Sequence, residues 1–190
     1  MPTPNTHQGF TLIELLVTLA LAVILMGVAT PNFVAFQRNS ELTSAANSLL
    51  SGINAARGEA MKRGRNAVVA PMDGSNWESG WVVFVDVDNS ATYSSTMDEV
   101  VLSREPLPSY FAIKADGSAD PMRANPYIRF RSSGFPDVVG DNLTFNIERK
   151  DLSGSQKFAE TRRVIIAVTG RIRICKPTSD TDANCKLKSS

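Results

Sequence analysis

Residues 10–29 read FTLIELLVTLALAVILMGVA, an apolar stretch that carries one charge, Glu14. At a rise of about 1.5 Å per residue, twenty residues cover roughly 30 Å, the thickness of bilayer hydrocarbon. Residues 10–30 are therefore predicted to be a transmembrane helix. After Pro31 the pattern becomes amphipathic, with Leu42, Ala45, Ala46, Leu49, Ile53, Ala56 and Ala60 recurring at three- and four-residue intervals. That spacing predicts a helix over residues 31–65 with one buried stripe, ending at Gly64. Proline removes a ladder hydrogen bond and crowds the preceding turn, so a kink or local unwinding is expected near residues 29–31. Arg57, Lys62, Arg63 and Arg65 gather near the C-terminal end, where cations complement the helix dipole.

Beyond residue 65 the period shortens to two, and β-branched and aromatic residues fill short runs at 67–70, 81–85, 99–102, 127–130, 143–147, 164–168 and 172–175. Turn-forming residues occupy 86–97 and 106–125, and no internal repeat is visible. One long helix packed on antiparallel sheet is an α+β plan, with residues 66–190 as its β-rich head.

Composition narrows the function. With 190 residues the chain suits one globular unit carrying an appendage. A net charge of +1 excludes a uniformly basic nucleic-acid coat and an acidic disordered chain. The charge is nonetheless partitioned: residues 66–148 hold 5 basic and 12 acidic side chains, and residues 149–190 hold 10 and 4. The one histidine, His7, lies ahead of the apolar run, which makes hydrolytic triads and His-ligated zinc poor fits. No catalytic residue, metal or cofactor is expected, and the chain does not read as an enzyme.

Cys175 and Cys185 stand too far apart for a redox CxxC pair and are too few for a four-ligand metal site. One disulfide is the economical reading; closing a loop of about eleven residues, it is worth roughly 2 to 3 kcal/mol. Such bonds persist in the periplasm and at cell surfaces. Asp86-Val87-Asp88-Asn89-Ser90 suggests a calcium loop, but an EF-hand needs Gly at the sixth position and Glu at the twelfth, where this chain has Ala91 and Met97. A solvated hairpin tip is the better reading.

Glu14 costs about 2.5 to 3.5 kcal/mol within hydrocarbon unless it is paired or lies at the interface, where a helix N-terminus favours it. The segment Gly9-Phe10-Thr11-Leu12-Ile13-Glu14, followed by this apolar run, resembles the class III signal of type IV pilins and type II secretion pseudopilins. That resemblance implies a leader over residues 1–9, cleavage by a prepilin peptidase between Gly9 and Phe10, and N-methylation of Phe10. It also implies that Glu14 pairs with the N-terminal amine of a neighbouring subunit. Gly80-Trp81-Val82-Val83-Phe84-Val85-Asp86, Phe130-Arg131-Ser132-Ser133-Gly134 and Thr169-Gly170-Arg171-Ile172-Arg173 look like the head of GspH/FimT-type minor pilins. A type IV pilin-like fold is implied, with major and minor pilins and the prepilin peptidase as partners. The implied location is the inner membrane with the head in the periplasm, and then a surface pilus or a periplasmic pseudopilus.

The last two expected strands flank Thr169-Gly170, and segregation of side chains selects their register. A two-residue loop sets Val168 against Arg171, mixing charge into an apolar face. A three-residue loop through Arg171 sets Val168 against Ile172 and Ile166 against Ile174, leaving Arg171 and Arg173 outside, about 6.6 Å apart. With Lys176, Arg162, Arg163, Lys186 and Lys188 they form a cationic edge suited to phosphate contacts without base specificity. Gly170-Arg171-Ile172-Arg173 is similar to the Gly-Arg-x-Arg signature of FimT-type pilins, which implies DNA binding during natural transformation. The alternative is that these cations guard an edge strand or pair with acidic groups, in a structural subunit that primes a filament through protein contacts.

Overall fold

The structure, a computed structural model, describes residues 9–115, 126–137, 142–179, 182 and 184–185, and leaves the side chains of residues 28–32 aside. Among the described residues one long helix precedes eight strands and a short second helix: α1 Leu12–Arg63, β1 Asn66–Pro71, β2 Trp81–Asp86, β3 Glu99–Arg104, β4 Phe111–Ala115, β5 Ile128–Phe130, β6 Leu143–Arg149, α2 Gly154–Ala159, β7 Thr161–Ile166 and β8 Ile172–Cys175. The chain divides into two compact units between Ser40 and Glu41.

In the first unit α1 begins on a cap: the Glu14 amide donates to Thr11 Oγ1 at 3.3 Å, half of a Thr-x-x-Glu capping box. Its large apolar side chains over residues 12–26 stand at least half exposed, from 50% at Val17 to 76% at Leu12. Among the described residues no helix is long and apolar enough to cross a membrane. The backbone stays helical through residues 29–31, so the chain does not unwind at Pro31.

In the second unit the stripe read from the sequence is the buried one: Leu42, Ala45, Ala46, Leu49, Ile53, Ala56 and Ala60 are at most 3% exposed. The helix stops at Gly64, whose φ of 63° is left-handed. Of the basic residues near that end, Lys62 and Arg63 pair with Glu59, and Arg63 also pairs with Glu99 on β3.

Two antiparallel sheets complete the head, ordered β3-β2-β1-β5 and β4-β6-β7-β8. Alternate residues from both, among them Val69, Trp81, Val83, Phe130, Phe145, Ile147, Val164 and Ile166, join the helix stripe in one core. Trp77, on a 3-10 turn before β2, meets Phe145 of β6 edge to face at 5.0 Å and ties the sheets together. The other face of the first sheet is also buried: Val68, Ala70, Val82 and Phe84 pack with Ala91 from the loop after β2, and Tyr93 tilts over Phe84. The tip expected to be solvated is therefore folded back at its start, with Asp86 1% and Ala91 6% exposed.

Two elements were not expected from the sequence. β4 lies inside the stretch read as loop over 106–125, and α2 precedes β7 in a polar segment. β7 ends at Ile166, not at residue 168.

Candidate nucleic-acid interface

Among the described residues β8 is the last strand of the second sheet and pairs only with β7. The register sets Ile166 opposite Ile172, Ile165 opposite Arg173, Val164 opposite Ile174 and Arg163 opposite Cys175. Ala167 and Arg171 close the loop through a 2.9 Å backbone bond, so its three residues are 168–170 and not 169–171. This corrects the expected pairing by two positions along β7. Because side chains alternate with period two, a shift of two keeps every side chain on its expected face. Ile172 and Ile174 thus pack against the core, and Arg171 and Arg173 remain exposed.

Gly170 is buried at the turn, with a φ of 81°. A Cβ there would lie 3.0 Å from the Gly134 carbonyl oxygen and 3.3 Å from the Arg57 guanidinium carbon. The Gly170 carbonyl accepts a 2.8 Å hydrogen bond from Arg57 Nη1. The glycine therefore shapes the hairpin and docks it on α1, and its two arginine neighbours are the groups left facing solvent. Arg57 was read from the sequence only as a dipole partner. The signal for its actual task was its place beside the stripe, four residues after Ile53.

The expected cations separate into distinct groups. The Arg171 side chain makes no hydrogen bond or ion pair among the described residues, and Lys176 is exposed just past β8. Arg173 is exposed but donates from Nη1 to the Asn184 carbonyl at 2.9 Å, so one of its donors is engaged. Arg162 is half-buried, donates to the Thr161 carbonyl at 3.0 Å, and is pulled below the ordinary guanidinium range by that burial.

Arg163 does not belong to the edge. It is 3% exposed, with Nε donating to Asn146 Oδ1 at 2.7 Å and Nη1 donating to the Cys185 carbonyl. A guanidinium enclosed in this way cannot reach a phosphate in solution; it clamps the C-terminal loop to the sheet. Lys186 and Lys188 lie outside the described residues. Cys175 and Cys185 are bonded, their Cα atoms 5.9 Å apart, and Cys185 is 1% exposed. At the other end of the chain, Phe10 is 86% exposed and Glu14 lies in the first turn of α1.

What remains is a solvent-facing set of Arg171, Arg173 and Lys176 on and beside the edge strand β8, whose turn is held by Arg57 and whose end is held by the disulfide. The head that carries it, residues 45–181, matches the family described as Type II transport protein GspH. The chain belongs to the GspH family. Residues 4–30 match the prokaryotic N-terminal methylation motif, which covers Gly9, Phe10 and Glu14. Among solved structures, the fold of this GspH-family chain is similar to the type IV minor pilin FimU of Pseudomonas aeruginosa PAO1, at 20% identity and a TM-score of 0.56 over 75% of this chain and 93% of that one. It is also similar to the minor pseudopilin EpsH from the type 2 secretion system of Vibrio cholerae, at 15% identity and a TM-score of 0.53 over 74% of this chain and 97% of that one. No curated protein matches the chain. The pilin-like α+β fold is thereby established, with the long helix expected from the sequence.

Proposed function

We propose that this GspH-family chain is a minor subunit of a type IV pilus that captures DNA of any sequence through Arg171, Arg173 and Lys176. Before assembly, residues 10–30 hold it as a single pass in the inner membrane with the head in the periplasm. A prepilin peptidase cuts between Gly9 and Phe10 and methylates Phe10. Glu14 then neutralises the terminal amine of a neighbouring pilin as the subunit enters the filament at or near its tip. The apolar exposure along α1 and the methylation motif support the anchor and the processing.

The observation that carries DNA capture is the pair of exposed arginines, Arg171 just before β8 and Arg173 on it, on the side away from Ile172 and Ile174. Guanidinium forks on a rigid strand suit bidentate phosphate contact, and phosphate contact gives affinity without sequence preference. An electrophoretic shift series across salt concentrations, with the full chain in detergent micelles, tests this. Each phosphate contact adds about 0.9 to the log–log salt slope, so the double variant Arg171→Gln/Arg173→Gln should flatten it by about 2. An unchanged slope removes DNA from the proposal.

A second reading, a structural pseudopilin that primes a pilus or a secretion pseudopilus, is favoured by the engagement of Arg163 and of one Arg173 donor in the head itself. Under that reading Glu14→Ala blocks filament incorporation and the wild-type head retains no DNA.

A further inference from the structure

The loop between β2 and β3 gathers negative charge. One carboxylate oxygen each from Asp86, Asp88 and Asp98 lies within 4.8 Å of the others. Asp86 is the last residue of β2 and is 1% exposed. Its Oδ2 accepts the Ala91 amide at 3.2 Å, but its Oδ1 is buried without any donor. Asp88 Oδ1 accepts the Ser90 amide at 3.0 Å, and Asp98 accepts the Val87 and Ser94 amides at 3.0 and 2.8 Å. These bonds satisfy part of each carboxylate and leave the space among them lined with oxygen.

Among the described residues none of the three aspartates forms an ion pair; Arg129 feels the charge of Asp86, yet its Nε and Nη2 are both given to Asp137. A buried carboxylate oxygen with no donor is costly, and two more carboxylates beside it add to that cost unless something positive lies between them.

We propose that Asp86, Asp88 and Asp98 bind a calcium ion that pins the β2–β3 loop to the outer face of the first sheet. The donors are all oxygen, which selects a hard cation over zinc or copper. Calcium takes six to eight oxygens in flexible geometry and so tolerates an irregular set of carboxylates, whereas magnesium demands near-ideal octahedral geometry and gives up its waters reluctantly. Water and loop carbonyls complete the shell. Asp98 stands at the thirteenth position counted from Asp86, one past the position an EF-hand uses, so this loop is not an EF-hand and supplies its third carboxylate from the start of the next strand.

The full chain in detergent micelles, stripped with EDTA, is titrated with calcium chloride by calorimetry and melted in parallel. Expected is one calcium per chain, with a Kd of about 10⁻⁴ to 10⁻³ M as for extracellular modules, a melting temperature that rises with calcium, and magnesium at least tenfold weaker. Asp88 is exposed, so Asp88→Asn folds as the wild type does and should weaken binding at least tenfold, as should Asp98→Asn. Absence of both heat and melting shift up to 10 mM calcium overturns the site, as does undiminished binding by Asp88→Asn/Asp98→Asn. Equal affinity for magnesium overturns the assignment to calcium. A proton shared between Asp86 and Asp88 in place of an ion would give indifference to calcium together with stability that rises on acidification, and also overturns it.

Discussion

Replacing Arg163 by Gln separates a structural cation from a DNA-binding one. In the wild type the buried guanidinium donates to Asn146 on β6 and to the Cys185 carbonyl, joining the second sheet to the disulfide loop. Hydrogen bonds from a charged group are each worth about 1.5 to 3 kcal/mol, and a buried acceptor left unmatched adds to the loss. Glutamine can keep one of the two contacts and relieves the burial of a charge, so the net cost is about 3 kcal/mol. For a chain of this size that lowers the melting temperature by about 6 to 12 °C. Melting followed by far-ultraviolet circular dichroism, with the disulfide intact, reads the effect, and limited proteolysis should cut the loop after β8 faster. The salt slope of DNA binding should be unchanged below the melting range. A stability loss under 1 kcal/mol with a flatter DNA slope would refute the clamp and return Arg163 to the cationic edge.

Two other sites give independent checks. Gly80 enters β2 with a φ of 87°, and a Cβ there would fall 2.1 Å from the Arg104 carbonyl oxygen, so Gly80→Ala should cost about 3 kcal/mol or more and lower the urea midpoint; a neutral effect would contradict the β2–β3 packing. Asp137 receives hydrogen bonds from Arg129 and Arg131, and the Arg129 bond, foremost, holds its carboxyl below the ordinary range. A depressed native value means the pair contributes fully above the ordinary aspartate range and is lost as pH falls through the depressed value. Unfolding free energies of wild type and Asp137→Asn from urea titrations should therefore differ by about 1 to 2 kcal/mol from pH 7 down to about 5, with the gap closing as pH falls through the depressed native value; a gap that widens on acidification would reverse the assignment.

Periodicity carried most of the architecture because it needs only local information. The helix stripe repeats at the helical period, and every residue on it is buried as expected. The C-terminal hairpin shows both the reach and the limit of such reasoning. Segregation of isoleucine from arginine fixes parity, and parity was right; it cannot distinguish registers two apart, and the turn geometry at Gly170 selected the other one. β4 was missed although Phe111 and Ile113 alternate with the more open Ala112 and Lys114, since five residues between long irregular segments give a weak signal. Among the site residues, Arg171 and Arg173 were legible because a terminal edge strand exposes alternate positions. Arg163 shares their sequence neighbourhood, but its face is closed by chain that returns through the disulfide, a non-local fact no strand pattern contains. The proposed calcium site did not show in the sequence for a related reason: the loop was tested against one fixed ligand spacing, while the fold brings Asp98 to Asp86 and Asp88 from the far end of the loop.

Much of the outer face of each sheet is buried, and this decides where a binding surface can lie. On the first sheet Ala91 and Tyr93 of the β2–β3 loop cover Phe84. On the second, Arg163 ties the C-terminal loop over Asn146. Sheet faces covered in this way leave edges as the accessible backbone, and an unpaired edge invites another strand. Charges on β8 answer that hazard whatever else they do. Edge protection works with charge of either sign, however, and needs no phosphate. Phosphate contact requires positive charge and weakens linearly on a logarithmic salt scale. Solubility therefore cannot distinguish the two uses of Arg171 and Arg173, and the salt dependence of DNA retention can, because only one of the two releases counterions.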